Sequence, residues 1–407
     1  MTTNRFPTRT STALVALLAV LTLGPSAWGQ ANFHVLYNFK GGNDVGAPTA
    51  APILAGDGNL YGTAGPGVYM LTREADGSWA EAVLHRWKDT GIQGGLVADP
   101  QGNLYGTTVS GGTHDDGTVF ELHRAAGWKE QTLYNFGGDN CCPTNTLLRD
   151  HAGNLYGAGG SVYEVSLGTG GHWHEHVLYR FQVGTSDGWA AVGTLVSDAQ
   201  GNLYGATEFG GIHPCPSGGD GCGTVYELVR EPGGKWKERI LHRFDQFKND
   251  GELPASGLVM DTGGNLYGTT SQGGSVHNQG QCFVGCGTVF QLTRGPQGAW
   301  KETILYNFCQ IKGCLDGAAG VQLLLDGAGN LYGISGGGIG PCSGGCGMVF
   351  KLTRGTNGKW THHVLHRFSG PDGGVPLGLT MDKGGHLYGT TFWGGKYLYG
   401  VVYEVSP

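Results

Sequence analysis

Two serines in this chain stand in the Gly-x-Ser-x-Gly pattern of a nucleophile elbow, within Gly333-Ile334-Ser335-Gly336-Gly337 and Gly184-Thr185-Ser186-Asp187-Gly188. An elbow presents its serine on a sharp turn from a strand into a helix. No helical periodicity follows either site, so neither reads as catalytic. His172, His174 and His176 alternate along one short stretch. On a strand, residues two apart share a face, and these read as the solvated outer edge of a sheet rather than a metal site. His362, His363 and His366 read the same way. Acid–base cleavage of a glycosidic bond needs two carboxyl groups about 5 to 9.5 Å apart, and Glu208, Asp220 and Glu252 are the candidates for it. Aspartates recur at Asp44, Asp187, Asp250, Asp316 and Asp372, with Asp139 slightly out of pattern. A ring of such carboxylates would suit Ca2+; the preferred reading is that Asp-Gly turns the chain, with no cofactor.

The ten cysteines fall into five close pairs: Cys141/Cys142, Cys215/Cys222, Cys282/Cys286, Cys309/Cys314 and Cys342/Cys346. An even count in close pairs reads as disulfides in an exported chain. Cys141/Cys142 is the weak member, because adjacent cysteines pair only through a strained ring. Cys282-x3-Cys286 has a zinc-like spacing, but no second pair or histidine spacing supports it.

The elements that would position these groups are announced by a repeat. Gly-Asn-Leu-Tyr-Gly stands at 58–62, 102–106, 153–157, 201–205, 264–268 and 329–333, and a seventh copy at 385–389 has His386 in place of Asn. Consecutive copies lie 44, 51, 48, 63, 65 and 56 residues apart, periods that mean a propeller, solenoid or array. In the best-defined unit, Leu258-Val259-Met260-Asp261 is a short strand and Asn265 to Thr270 a second. Gly287 to Leu292 is a third, and Trp300 to Phe308 a fourth that alternates as a half-buried strand does. Four antiparallel strands in about 55 residues make one propeller blade.

The other units repeat this plan. An Asp three residues before the marker recurs at Asp99, Asp150, Asp198, Asp261, Asp326 and Asp382, with Ala55 breaking the rule. The fourth-strand Trp recurs six times, at Trp79, Trp128, Trp173, Trp236, Trp300 and Trp360. The missing fourth strand is at the other end of the chain, where residues 33–39 match residues 304–308 yet precede any blade. The expected fold is therefore all-β: a seven-bladed propeller over residues 30–407, whose N-terminal strand completes the last blade and removes both free edges.

Residues 1–29 read as a secretory signal, with Arg5 and Arg9 before an apolar run too short to span a membrane and Ala27-Trp28-Gly29 at the cleavage site. The whole chain has formal charge −7, and loss of the two arginines takes it to −9. An acidic exported chain is a poor candidate for nucleic acid. The expectation is a secreted or periplasmic monomer with no membrane span after cleavage.

The marker set, Gly-Asn-Leu-Tyr-Gly-Thr-Thr, Gly-Gly, Gly-Thr-Val-Phe and Trp-Lys-Glu-x-x-Leu-Tyr-Asn-Phe, resembles the GloVer-type tandem-repeat family of secreted bacterial proteins across residues 33–405. The resemblance implies a surface or secreted propeller-like protein and brings no catalytic residues. Some members carry a C-terminal sorting or anchoring segment, and the end at Pro407 favours a soluble product. The Gly-Gly, Tyr/Phe and Trp order is more loosely similar to kelch repeats.

Function on such a scaffold sits in irregular loops. The second-to-third-strand loops are short at 64–67 and 158–160, and long at 208–223, 271–287 and 335–347, where six of the ten cysteines stand. A stiffened rim over blades 4 to 6 is the expected site, with Glu208, Phe209, His213, Asp220, His277, Asn278 and Phe283 as its ligand-binding members; blade 7 adds Phe392, Trp393, Lys396 and Tyr397. The expected function is a non-catalytic module that binds a glycan or a protein on this face. The alternatives are a carbohydrate-active hydrolase or lyase and a purely structural extracellular component.

Overall fold

A computed structural model describes residues 31–407 apart from 43, 89, 139–142, 185, 212–214, 216–220, 246–248, 277–281, 283, 338–341 and 343–344. The expected leader lies outside the described residues. Seven antiparallel sheets follow one another, six of them made of consecutive strands. The seventh is built from Gly374–Met381, Leu387–Trp393 and Val401–Ser406, and its fourth strand is Asn32–Asn38 from the other end of the chain. Phe33 pairs with Val405 and Asn38 with Val401, so the ring closes as the sequence leads one to expect.

Within a blade the second strand is buried along its length, as Leu60–Ala64 and Leu104–Thr108 illustrate. The hydrophobic core lies between blades: each of seven apolar clusters joins residues of two consecutive sheets. The aromatic residue that ends each fourth strand meets the aromatic residue of the next blade's third strand. The seven pairs are Phe39–Tyr69, Trp87–Phe120, Phe136–Tyr163, Phe181–Tyr226, Phe244–Phe290, Phe308–Phe350 and Phe368–Tyr403, with ring centroids 4.6 to 5.5 Å apart.

The pentapeptide owes each polar or small member to this arrangement. Its last Gly lies under the third-strand ring: a Cβ at Gly62, Gly106, Gly157, Gly205, Gly268, Gly333 or Gly389 would come within 3.0 Å of that ring. Its Asn and Tyr both reach the preceding turn aspartate. In blade 5, Asp261 Oδ1 accepts the Gly263 and Asn265 amides, while Oδ2 accepts Asn265 Nδ2 at 2.8 Å and the Tyr267 hydroxyl at 2.9 Å. Blade 1, which lacks this Asp, uses Asp57 two residues later to accept the Asn59 amide and the Tyr61 hydroxyl.

Two consequences are open to measurement. Gly157→Ala would force a methyl into the buried Tyr163 ring and is expected to cost about 1–3 kcal/mol, read from chemical denaturation. A chain lacking residues 31–39 leaves the last blade unpaired and is expected to lose its cooperative thermal transition; an unchanged sharp transition would refute closure by that strand.

Candidate functional site

The first strands of the seven blades, or the residues leading into them, line a central cavity of about 430 Å3. At its mouth, on the face carrying the second-to-third-strand loops, a wider cavity of about 720 Å3 opens over blades 7, 1 and 2. Pro66 comes from the short loop of blade 1, and Ile92 and Gln93 from the crossing into blade 2. Thr144 comes from the crossing into blade 3, and Leu377 and Phe392 from blade 7. Phe392 is 49 % exposed. Among the described residues lining either cavity there is no Asp, Glu, His, Lys, Arg, Cys or Tyr. The mouth is walled by apolar side chains, hydroxyls and amides, a lining that suits an uncharged ligand.

The interior of the channel is stitched from blade to blade. Asn145 Nδ2 donates to the carbonyls of Ala158 and Ala191, and its Oδ1 accepts the Gly193 amide. Gln322 Oε1 accepts the Leu379 amide, and Thr390 Oγ1 donates to the Ala50 carbonyl. These groups are occupied by the scaffold, which leaves the exposed Gln93 and Thr144 as polar groups facing the mouth.

The ligand residues expected from sequence separate into three groups. His213, Asp220, His277, Asn278 and Phe283 lie outside the described residues, as do Cys141, Cys142 and Asp139. Phe209 stacks on Trp189 at 4.7 Å, and Glu208 is half-buried, with burial pushing its carboxyl above the ordinary range. In blade 7, Trp393 is half-buried, whereas Phe392, Lys396 and Tyr397 are exposed and Lys396 Nζ lies 5.2 Å over the Tyr397 ring. Of the described candidates, Phe392 alone lines a cavity. Glu252 is fully buried, with Oε2 3.2 Å from Cys215 Sγ, and so is not presented to a substrate. Sequence reasoning passed over Ile92, Gln93, Thr144 and Leu377. The signal that points to them is the shortness of the blade 1 loop, which leaves the mouth uncovered there.

Ser335 lies at 0 % exposure within the strand Leu331–Gly336, followed by another strand rather than a helix, which rules out an elbow. His174 and His176 are exposed on the outer strand Trp173–Arg180 as expected, and His172 is exposed just before it. His362 and His366 are not on a solvated edge. His362 stacks on Tyr306 at 4.5 Å and on Phe350 at 5.2 Å, and burial lowers its pKa to about 4. His366 lies flat on Phe33 at 3.5 Å and bonds Asp372 at 2.9 Å.

The described recurrent aspartates do not line the channel; they hold the crossings between blades. Asp187 accepts the Tyr179 hydroxyl and the Gln182 and Gly188 amides. Asp316 accepts the Tyr306 hydroxyl and the Gln310 and Ile311 amides. The next blade's fourth-strand glutamate packs against this aspartate. Burial, with the Asp44 carboxyl beside it, raises Glu81 to about 8, and burial with the Asp187 charge raises Glu238 to about 7.

Four of the expected disulfides are formed: Cys215–Cys222, Cys282–Cys286, Cys309–Cys314 and Cys342–Cys346. The second cysteine of each loop bridge also clamps the following blade. Leu253, Ala319 and Val375, all at positive φ, donate their amides to the carbonyls of Cys222, Cys286 and Cys346 at 2.8 to 2.9 Å.

Residues 67–283 and 158–340 match the family model described as the Gloeobacter/Verrucomicrobia repeat. No curated protein matches the chain. Among solved structures, a streptogramin B lyase aligns with TM-score 0.55 at 11% identity over 94% of this chain and 99% of its own. A catalytically inactive virginiamycin B lyase from Staphylococcus aureus with quinupristin aligns with TM-score 0.55 at 9% identity over 92% and 100%. The extracellular domain of a hybrid two-component system from B. thetaiotaomicron aligns with TM-score 0.54 at 14% identity, over 93% of this chain and 41% of its own. At such identities the likeness is one of fold.

The carboxyl pairs make stability pH-dependent. Glu81 and Glu238 keep a proton in the folded ring up to about 8 and 7, where the unfolded chain releases it near 4.5. Their contribution is fully present below about 4.5 and is lost as pH rises through 7 to 8. The thermal midpoint is expected to fall between pH 5 and pH 9, and Glu238→Gln to reduce that fall; a flat profile in the parent chain would contradict the pairing.

Proposed function

The chain belongs to the Gloeobacter/Verrucomicrobia repeat family, and we propose that this member is a non-catalytic binding module working outside the cytoplasm, with a neutral glycan as its ligand. The observation that carries the reading is the uncharged lining of both cavities among the described residues. General acid–base or nucleophilic chemistry needs a titratable or activated group within reach of the substrate, and the mouth offers hydroxyls, amides and an exposed ring instead. Phe392 would stack against a sugar face, with Gln93 and Thr144 bonding its hydroxyls. The disulfide-stiffened loops of blades 4 to 6 would form the far rim of the same face. Four disulfides fit an oxidising compartment, and no helix among the described residues is long and apolar enough to cross a membrane.

The test is a glycan array on the chain without residues 1–29, with polysaccharide breakdown assayed in parallel. Saturable binding without product is expected, and Phe392→Ala should weaken it about tenfold, equivalent to about 1.4 kcal/mol. Product release would move the reading to an enzyme. Binding that ignores Phe392→Ala would move the site away from the mouth, and no binding to any glycan would leave the structural alternative.

A further inference from the structure

The crossings between blades follow one plan, and among the described residues one of them brings an imidazole and two carboxylates together. A fourth-strand side chain bonds the crossing aspartate, and a residue from the next blade's fourth strand closes the group. Tyr37, Tyr179 and Tyr306 fill the first place at three crossings, with Asp44, Asp187 and Asp316 as their partners. Between blades 4 and 5 the first place is His242, whose Nε2 lies 2.8 Å from Asp250 Oδ2, and the third is Glu302. Imidazoles hold the same strand position at His85 and His366, the latter 2.9 Å from Asp372, so what distinguishes this crossing among the described residues is the full set of one imidazole and two carboxylates.

We propose that His242, Asp250 and Glu302 form a zinc site that clips blade 4 to blade 5. One imidazole nitrogen and two carboxylate oxygens lie within 4.8 Å of one another. Tetrahedral zinc, with Zn–N and Zn–O near 2.0 to 2.2 Å, sets its donor atoms about 3.3 Å apart, so small side-chain shifts bring the three around one ion. Water would take the fourth position. The mixed nitrogen and oxygen set favours zinc over calcium, which takes six to eight oxygens. Glu302 Oε1 is buried with no hydrogen bond of its own, as Glu238 Oε1 is at the preceding crossing, and an ion held by His242 and Asp250 would satisfy it. The other crossings are incomplete as ligand sets among the described residues. His362 stands in the third place beside Tyr306, and Phe33 stacks on His366.

The chain supplies its own control. His242→Tyr reproduces the arrangement at Tyr37, Tyr179 and Tyr306 and should fold, and Glu302→Gln removes a different ligand without changing shape. Both are compared with the oxidised parent chain after chelator treatment, by calorimetric titration with Zn2+ and by the visible spectrum with Co2+. The expected result is one ion per chain in a tetrahedral nitrogen–oxygen field, a rise of the thermal midpoint with Zn2+, and loss of all three in either variant. No binding by the parent chain would overturn the proposal. So would binding that survives both variants but is lost in a His174→Ala, His176→Ala double variant, which would place an adventitious ion on the exposed edge of blade 3.

Discussion

A ring at the end of each fourth strand wedges against a ring on the neighbouring blade, and that second ring lies across a glycine with no side chain to hold it away. Everything else in the molecule depends on this contact. A single four-stranded sheet of this kind has no core of its own; its apolar residues are covered by the sheets on either side. Each aromatic pair contributes about 0.5–1.5 kcal/mol beyond the area it buries. Seven in a closed circuit mean that no blade interface can open without straining the next. The remaining polar interactions are arranged around that circuit: turn aspartates on one face, crossing aspartates on the other, and amide or hydroxyl stitches along the channel.

The blade count, the strand boundaries and the borrowed strand were legible because they repeat, and repetition exposes what the backbone demands. Gly157 recurs with its equivalents because a ring requires it in every blade, and Asp150 recurs in six of them because the following turn amide, asparagine and tyrosine bond its carboxylate. The site was far less legible. Sequence variation drew attention to the long loops of blades 4 to 6, whereas the open mouth lies where loops are short and residues such as Gln93 and Thr144 carry no pattern of their own. Their convergence depends on the curvature of the ring, which no local spacing encodes. The inward stacking of His362 and His366 was hidden for a similar reason. Alternation identifies two faces of an outer strand, but only the neighbouring blade decides which of them is covered.

The clamps at Leu253, Ala319 and Val375 explain where the cysteines fall. A residue with a side chain is held at positive φ in each, a conformation disfavoured most for a β-branched side chain such as Val375. It persists because its amide finds the carbonyl of a residue held in place by its own disulfide. The bridges therefore hold the long loops and align the next blade at the same time. Between blades 7 and 1, Ala47 makes the equivalent bond to the Tyr399 carbonyl without a cysteine, and there the adjoining loop is short.

The pairing of Asn32–Asn38 with Val401–Ser406 has a consequence for how the molecule is born. The first strand to leave the ribosome has no partner until the last one is made, more than 360 residues later. Six blades can assemble as each is synthesised, but the ring cannot close on a growing chain. Joining such distant segments is slow because loop closure comes before the contacts that reward it. For the whole of synthesis, Phe33 and Val35 travel as an uncovered strand, and the third strand that awaits them appears only at the end. The interval between birth and closure is therefore set by chain length, and it is the period in which a second copy, carrying the same unpaired strand, could fill the gap instead.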